Sequence, residues 1–379
     1  MNKVLAKVPW EALYQETGVQ PSPGNTLSQL RAEKFLRLSR ANHLMPVADG
    51  FNYLLAGVPS VEISMASATQ LYNPATQAWS DRLFDALKLP RRLFSPVVRS
   101  GTELGPLRPE IARQTGLEDV RIIASCSHEI AAALAGLPVE KGENSAFLQW
   151  GKWAVMGTEL AKSVINDSSR KLNFTNEIGY GGAVRFYKPA SGLWILEECQ
   201  RYWREKGADL DRDMLLHLLG TATPFESLIN PADPRFSEPG DMPLKIQAFC
   251  KETGQTIPRK PGPITRCILE SLALLYRKTL REMEELTGQG IDRLYVLGGS
   301  ANNLLNHFTA NAVQIPVVVA TADAAAIGNV IVQALALGHI KSLDEARQIV
   351  RNSFKMETII PHASAWEVAY GRLIQLLPA

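Results

Sequence analysis

From Ile291 to Leu337 the chain passes through four patterns: the apolar run IDRLYVL, the helical pattern ANNLLNHFTANAV, the β-branched run IPVVVA, and the alanine-rich helical pattern ADAAAIGNVIVQALAL. Runs of four to eight apolar residues alternating with helical patterns require strands buried under helices, so this tail predicts an α/β architecture. In such folds, sites form where strands give way to loops. Just upstream, ITRCILESLALLYRKTLREMEELTG carries Ile264, Cys267, Ile268, Leu272, Leu275 and Leu280 on one helical stripe and stops at Gly288.

A second strand-to-helix break lies in VRIIASCSHEIAAALAG, where the titratable His128 and Glu129 stand side by side. Residues 25 to 57 have helix-like spacing, with Leu27, Leu30, Phe35 and Leu38 as packing residues. The Pro/Arg-rich texture of Pro90–Pro109 predicts a boundary near 105–120, hence an organisation of residues 1–119 and 120–379. NSAFLQWGKWAVMGTEL reads as a hairpin about Gly151-Lys152, and Pro224–Pro263 reads as an irregular excursion.

Forty basic and thirty-eight acidic residues leave a formal charge of +2, and no Lys/Arg run points to nucleic acid or an anionic membrane. Cys126, Cys199, Cys250 and Cys267 are far apart and show no C-x-x-C spacing, which predicts free thiols. The opening MNKVLAKVPWEAL has no uninterrupted apolar stretch, and Ile315–Ile340 is broken by Asp323, Asn329, Gln333 and His339. These features predict a soluble cytoplasmic protein.

In LYVLGGSANN a glycine pair after a strand lets backbone approach a ligand, and the following helix start offers free N–H groups to phosphate or ribose. Ser300 as a plain N-cap explains the same residues. Context adds to this. The stretch from Leu297 to Phe354 resembles the carboxyl-terminal half of the FGGY carbohydrate kinases, in its Gly-Gly-Ser-x-Asn turn and its Ala326-Ile327-Gly328-Asn329 helix. PSPGNTLSQL, FNYLLAG, SATQLYNPATQAWSD, LPRRLF, LGPLRPEIARQTGL, NFTNEIGYGGAVRF, GLWILEECQRYW and PGDMPLKIQAFCKETGQTIP resemble segments of the rhamnulokinase branch, in the same order.

The resemblance implies an actin-like (ribonuclease H-like) α/β fold of two domains around a cleft, with the sugar at its floor and ATP with Mg²⁺ held mainly by the second domain. It also implies ATP-dependent phosphorylation of L-rhamnulose to L-rhamnulose 1-phosphate, a chemistry of positioning and charge stabilisation aided by a base. The family's Gly-His-Asp aligns with Ser127-His128-Glu129, which assigns the catalytic base to Glu129 and a sugar contact to His128. From the residues alone, His128 reads equally as a turn histidine satisfied by backbone, and Glu129 as a solvated helix-start acid. The family's Ser-Gly-Thr-Trp loop aligns with Trp150-Gly151-Lys152-Trp153, its nucleotide-side asparagine and glutamine with Pro189 and Glu197, and its glycine-rich turn with Leu297, Gly298, Gly299 and Ser300, followed by Asn302.

Each departure weakens the implied chemistry. Glutamate moves the carboxylate by roughly an ångström relative to aspartate, a misplacement that costs on the order of 10²-fold in rate. Lys152 replaces a small hydroxyl, Pro189 has no N–H donor, and Glu197 repels triphosphate. No counterpart of the family's opening Asp-x-Gly-x-Ser-Ser-Gly-Arg hairpin is found, so the first domain is expected to be truncated, with sheet edges covered by a second copy or a partner chain. Trp150, Trp153 and Trp194 are expected as core aromatics, and Asn173, Asn176 and Arg185 as structural polar contacts. The sequence therefore predicts a rhamnulokinase-like kinase of weak or no turnover. The alternatives are an active kinase and half of a split one.

Overall fold

The computed structural model describes residues 1–33, 35–298, 303–321, 323–362 and 365–378. Its compactness divides the chain into two units of interleaved segments. The first is Met1–Gly142, Thr158–Tyr187 and Asp323–Lys355; the second is Glu143–Gly157, Lys188–Ala322 and Met356–Ala379.

In chain order, α1 (Asn2–Leu5), α2 (Trp10–Thr17), α3 (Thr26–Ala32), α4 (Phe35–Arg40) and α5 (Val47–Ala56) lead to β1 (Val61–Glu62) and α6 (Ile63–Ala68). Then come β2 (Tyr72–Asn73), β3 (Ala78–Trp79), α7 (Asp81–Leu87), β4 (Val97–Val98), β5 (Thr102–Pro106), α8 (Pro109–Thr115), β6 (Arg121–Ala124) and α9 (Glu129–Ala135). The middle of the chain forms β7 (Ser145–Gln149), β8 (Trp153–Leu160), α10 (Asp167–Lys171), β9 (Thr175–Ile178) and β10 (Val184–Ser191). It continues through α11 (Trp194–Glu205), α12 (Arg212–Gly220), α13 (Met242–Glu252), α14 (Pro261–Thr287), β11 (Arg293–Leu297), α15 (Asn303–Val313) and β12 (Val317–Val319). Last are α16 (Ala324–Ala336), α17 (Leu343–Ser353), β13 (Glu357–Ile359) and α18 (Trp366–Leu376).

The first unit is built on small sheets and helices. β1 pairs β4 in parallel, and β5 pairs β6 antiparallel with an irregularity between Glu103 and Gly105. One apolar cluster gathers Leu13, Leu27, Leu71 and Phe84, and another gathers Leu104, Leu107, Ile122 and Ala124 under α5 and α8. Helices α9 and α16 pack so closely that a Cβ on Gly328 would overlap the carbonyl oxygen of Ala132, and one on Gly136 would lie 2.5 Å from that of Ala324. Here glycine serves close backbone approach.

In the second unit β11 lies between β7 and β12, parallel to both, and β13 closes that edge antiparallel to β12. The apolar tail thus supplies the parallel strands β11 and β12, in keeping with the α/β architecture that its periodicity predicts. Long α14 starts with Pro261 in its first turn, buries Ile268, Leu272 and Leu280, and ends where Gly288 adopts φ +67°. Each fully buried leucine contributes roughly 1.5–3 kcal/mol.

The stretch Pro224–Pro263 departs from the irregular excursion expected. It contains α13, which buries Met242, Ile246, Phe249 and Cys250. Pro243 is in the first turn of that helix, where a missing N–H costs nothing. The four cysteines are buried free thiols, as their spacing predicts. Among the described residues, no helix is long and apolar enough to cross a membrane.

Candidate active site

In the first unit, β6 ends in the turn Ser125–Ser127 and α9 begins at Glu129, with His128 as the N-cap. Histidine is an uncommon cap, yet its Nδ1 accepts the backbone N–H of Ile130 at 3.2 Å. Arg185 Nη1 donates to the same Nδ1 at 3.0 Å. A guanidinium only donates, so Nδ1 carries no proton and the ring is the neutral Nε2–H tautomer. Burial first, and then the Arg185 charge, push the His128 pKa down to about 3. Its Nε2 lies 3.8 Å from Glu177 Oε2, beyond hydrogen-bond length.

Arg185 and Glu177 are themselves buried. Arg185 is fully enclosed and donates from Nη2 to Glu177 Oε2 at 2.6 Å, while the Tyr187 hydroxyl donates to Glu177 Oε1 at 2.6 Å. Burial, followed by the Glu177 charge, raises the Tyr187 hydroxyl well above its ordinary range. Arg185 therefore has the structural polar role expected of it. So does Asn176, whose side chain accepts from Val164 N–H and donates to the carbonyls of Val164 and Gly18. Asn173 adopts φ +65°, a left-handed turn that asparagine tolerates.

Two buried carboxylates hold the other side of the turn. Glu62 accepts the backbone N–H groups of Ser64 and Ser127, each at 3.0 Å, and the hydroxyls of Ser64 and Ser100. Asp49 Oδ1 accepts the Ser127 hydroxyl at 3.0 Å and the Glu62 N–H at 3.2 Å. The backbone N–H of His128 donates to Ser64 Oγ at 3.0 Å. Asp49 Oδ2 is buried with no partner among the described residues, and burial raises the Asp49 pKa to about 6. Sequence reasoning missed Asp49, Glu62 and Glu177. Only Glu62 left a local signal, as the residue two before Ser64 whose side chain caps α6.

Glu129 contrasts with these neighbours. It is exposed in the first turn of α9, and its carboxylate has no hydrogen-bond or ion-pair partner among the described residues. It borders a cavity of about 570 Å³ within the first unit, whose other polar lining includes Asn52, Asn329 and Gln333.

The residues assigned to the nucleotide lie in the second unit. The carbonyls of Gly151 and Lys152 accept the N–H groups of Leu193 and Trp194, each at 3.2 Å, so backbone already occupies the start of α11. A Cβ on Gly192 would lie 2.5 Å from the Gly151 oxygen, which shows how closely the two segments cross. The Lys152 ammonium sits 4.0 Å from the Trp194 ring centroid. Glu197 is exposed in the first turn of α11, and Pro189 lies on β10. Gly298 turns at φ +72° after β11. Gly299, Ser300 and Asn302 lie outside the described residues.

Among the described residues of this set, the Lys152 cation lies over an indole, Glu197 carries a carboxylate, and Pro189 has no N–H, so these three side chains add no donor aimed at a phosphate. No group of three or more ligating side chains suited to a metal occurs among the described residues. Trp153 differs from the core aromatic expected. It is 55% exposed and stacks on Trp194 with centroids 6.0 Å apart, while Trp150 and Trp194 are half-buried.

Comparison with known proteins places this geometry. The model of the FGGY carbohydrate kinase N-terminal domain matches residues 1–136, and that of the C-terminal domain matches residues 146–337. The chain is 37% identical over 371 residues to a rhamnulokinase of Bacteroides thetaiotaomicron, covering 97% of this chain and 76% of that protein. It is 36% identical over 350 residues to a rhamnulokinase of Enterococcus faecalis, covering 92% and 70%. Among solved structures it is similar to a xylulose kinase from Rhodospirillum rubrum, with TM-score 0.80 and 18% identity over 99% of this chain and 76% of the other. It is also similar to a Plasmodium falciparum glycerol kinase with ADP, with TM-score 0.79 and 13% identity over 100% and 77%. The fold is the two-domain, actin-like sugar-kinase fold. Both domain models match, and the expected truncation of the first domain gains no support from them. The chain belongs to the FGGY family of carbohydrate kinases.

Proposed function

We propose that this chain is a rhamnulokinase-like member of the family whose inherited reaction is phosphorylation of L-rhamnulose by ATP, and that its turnover is weak. The observation that carries the reading is the contrast at the β6–α9 turn. The turn is fixed by Asp49, Glu62 and Ser64, whereas the one carboxylate at the family's base position, Glu129, has no partner among the described residues to orient it. A general base works when a third group holds it in line with the hydroxyl it deprotonates. His128 is held neutral and presents Nε2–H, so its role in this reading is to donate to a sugar oxygen, not to accept a proton.

On the nucleotide side, Gly151, Lys152, Pro189, Glu197, Gly298, Gly299, Ser300 and Asn302 are assigned to ATP with its Mg²⁺ by the family reading. Their chemistry supports weak retention. Proposed partners are a ketose, a nucleotide, and a second copy or a companion chain.

Steady-state ADP release with L-rhamnulose, ATP and Mg²⁺ tests the reading. Turnover well below the ordinary enzyme range of roughly 1–10³ s⁻¹, yet faster with L-rhamnulose than with L-xylulose or glycerol, supports it. A rate inside that range refutes weak turnover, and equal rates with all three acceptors refute the substrate.

A further inference from the structure

The first unit contains another cavity, of about 670 Å³, whose lining includes none of the residues assigned above to the sugar or the nucleotide. It is formed by the β2–β3 turn, the residues after β4, the loop after β8 and the β9–β10 turn. In the β9–β10 turn, Gly181 and Gly182 adopt φ +67° and +83°, and a Cβ on either would meet nothing within 4 Å, so that part of the lining is open.

Tyr72 joins the apolar part of this cavity to its polar part. Its ring belongs to the same apolar cluster as Ile178 and Val184, against which Ile63 packs, and all four residues line the cavity. Tyr72 is only 2% exposed, yet its hydroxyl keeps some access and has no hydrogen-bond partner among the described residues. Buried phenolic hydroxyls ordinarily find a partner. Burial raises the pKa of this hydroxyl and the positive charge of Arg99 opposes the rise, which places the guanidinium within electrostatic reach of it. Arg99 and Lys162 are exposed, and neither side chain makes a hydrogen bond or ion pair among the described residues. No carboxylate lines the cavity, so its lining carries two cations and no anion.

An unpartnered hydroxyl near a guanidinium, joined to an apolar surface, selects a ligand that carries an oxyanion on an apolar body. The planar fork of arginine matches phosphate or carboxylate oxygens, and tyrosine adds one O–H donor. Two cations with no anion favour the dianionic phosphoryl group over a carboxylate. The volume lies within the roughly 300–1,000 Å³ of ligand pockets. We infer that this cavity binds a small phosphate monoester with an apolar body, its phosphoryl group at Tyr72 and Arg99 and its body against Ile63, Ile178 and Val184. Such binding does not depend on the kinase reading above.

Titration calorimetry of the full chain with phenyl phosphate, and separately with inorganic phosphate, benzoate and benzyl alcohol, tests this at about pH 7.5, where phosphate esters are dianionic. Phenyl phosphate is expected to bind at least about tenfold more tightly than each of the other three. Phosphate lacks the apolar body, benzoate the second negative charge, and benzyl alcohol both charges. Tyr72→Phe keeps the ring and removes only the hydroxyl, and is expected to weaken phenyl phosphate by about three- to tenfold. Arg99→Gln is expected to weaken it about tenfold, and Arg99→Lys to restore only part of the loss. Thermal unfolding shows that each variant is folded, and the exposed position of Arg99 predicts an unchanged melting temperature for its variants. Failure of phenyl phosphate to bind at millimolar concentration overturns the inference. So does binding no tighter than that of any one of the three controls, or binding that folded Arg99→Gln leaves unchanged.

Discussion

Arg185 and Glu177 form a fully enclosed ion pair, and Arg185 also fixes the tautomer of His128. Removing one partner strands a buried charge, so Arg185→Met is expected to cost about 3–5 kcal/mol in chemical denaturation. Nitrogen NMR is expected to find His128 as the neutral Nε2–H tautomer well below the ordinary histidine pKa of 6.5, because its pKa is pushed down to about 3. A ring that titrates near 6.5 contradicts the network. Asp49 gives a stability signature of the opposite sense. Its folded pKa, about 6, lies above the ordinary aspartate value of 3.8, so the folded state binds the extra proton between those values. Folding is then penalised as pH rises through that window. The stability of the native chain relative to Asp49→Asn is expected to fall between about pH 4 and pH 6, by up to about 3 kcal/mol. A flat difference across that window contradicts a strained carboxyl.

At the scale of elements, the contact between α9 and α16 depends on two glycines. Gly328→Ala places a methyl group into the Ala132 carbonyl and is expected to destabilise by about 1–3 kcal/mol or more, whereas Gly371→Ala, with nothing within 4 Å on α18, should be neutral or slightly stabilising. Comparing the two melting temperatures separates packing from helix propensity. The elements themselves were largely legible. Periodicity predicted β6, β11, β12, α14 and the alanine-rich α16, because each one carries its apolar pattern within its own sequence. Helix α13 was lost because proline inside its first turn reads locally as a breaker. Trp153 was misplaced because a strand residue beside a turn carries no sequence mark of which face is covered. The site divided in the same way. His128 and Glu129 were visible as neighbours at a strand end, but Asp49, Glu62 and Glu177 act from 49 to 78 residues away in sequence and are joined to the turn by folding alone.

For the whole molecule, the proposed weak turnover requires that the family fold be kept while the alignment of its reacting groups is relaxed. The rigid parts are the turn clamped by Asp49 and Glu62 and the parallel strands β7, β11 and β12. The parts that the proposal takes as relaxed are the exposed Glu129 carboxylate and the Lys152 ammonium, which lies over an indole. If carboxylate reach limits the chemical step, shortening that side chain should raise the rate without changing the fold. The most direct measurement is ADP release with L-rhamnulose by Glu129→Asp beside the native chain, at equal nucleotide saturation. The account expects the aspartate variant to be faster, by roughly 10- to 100-fold, with an unchanged melting temperature. An aspartate variant no faster than the native chain would contradict it.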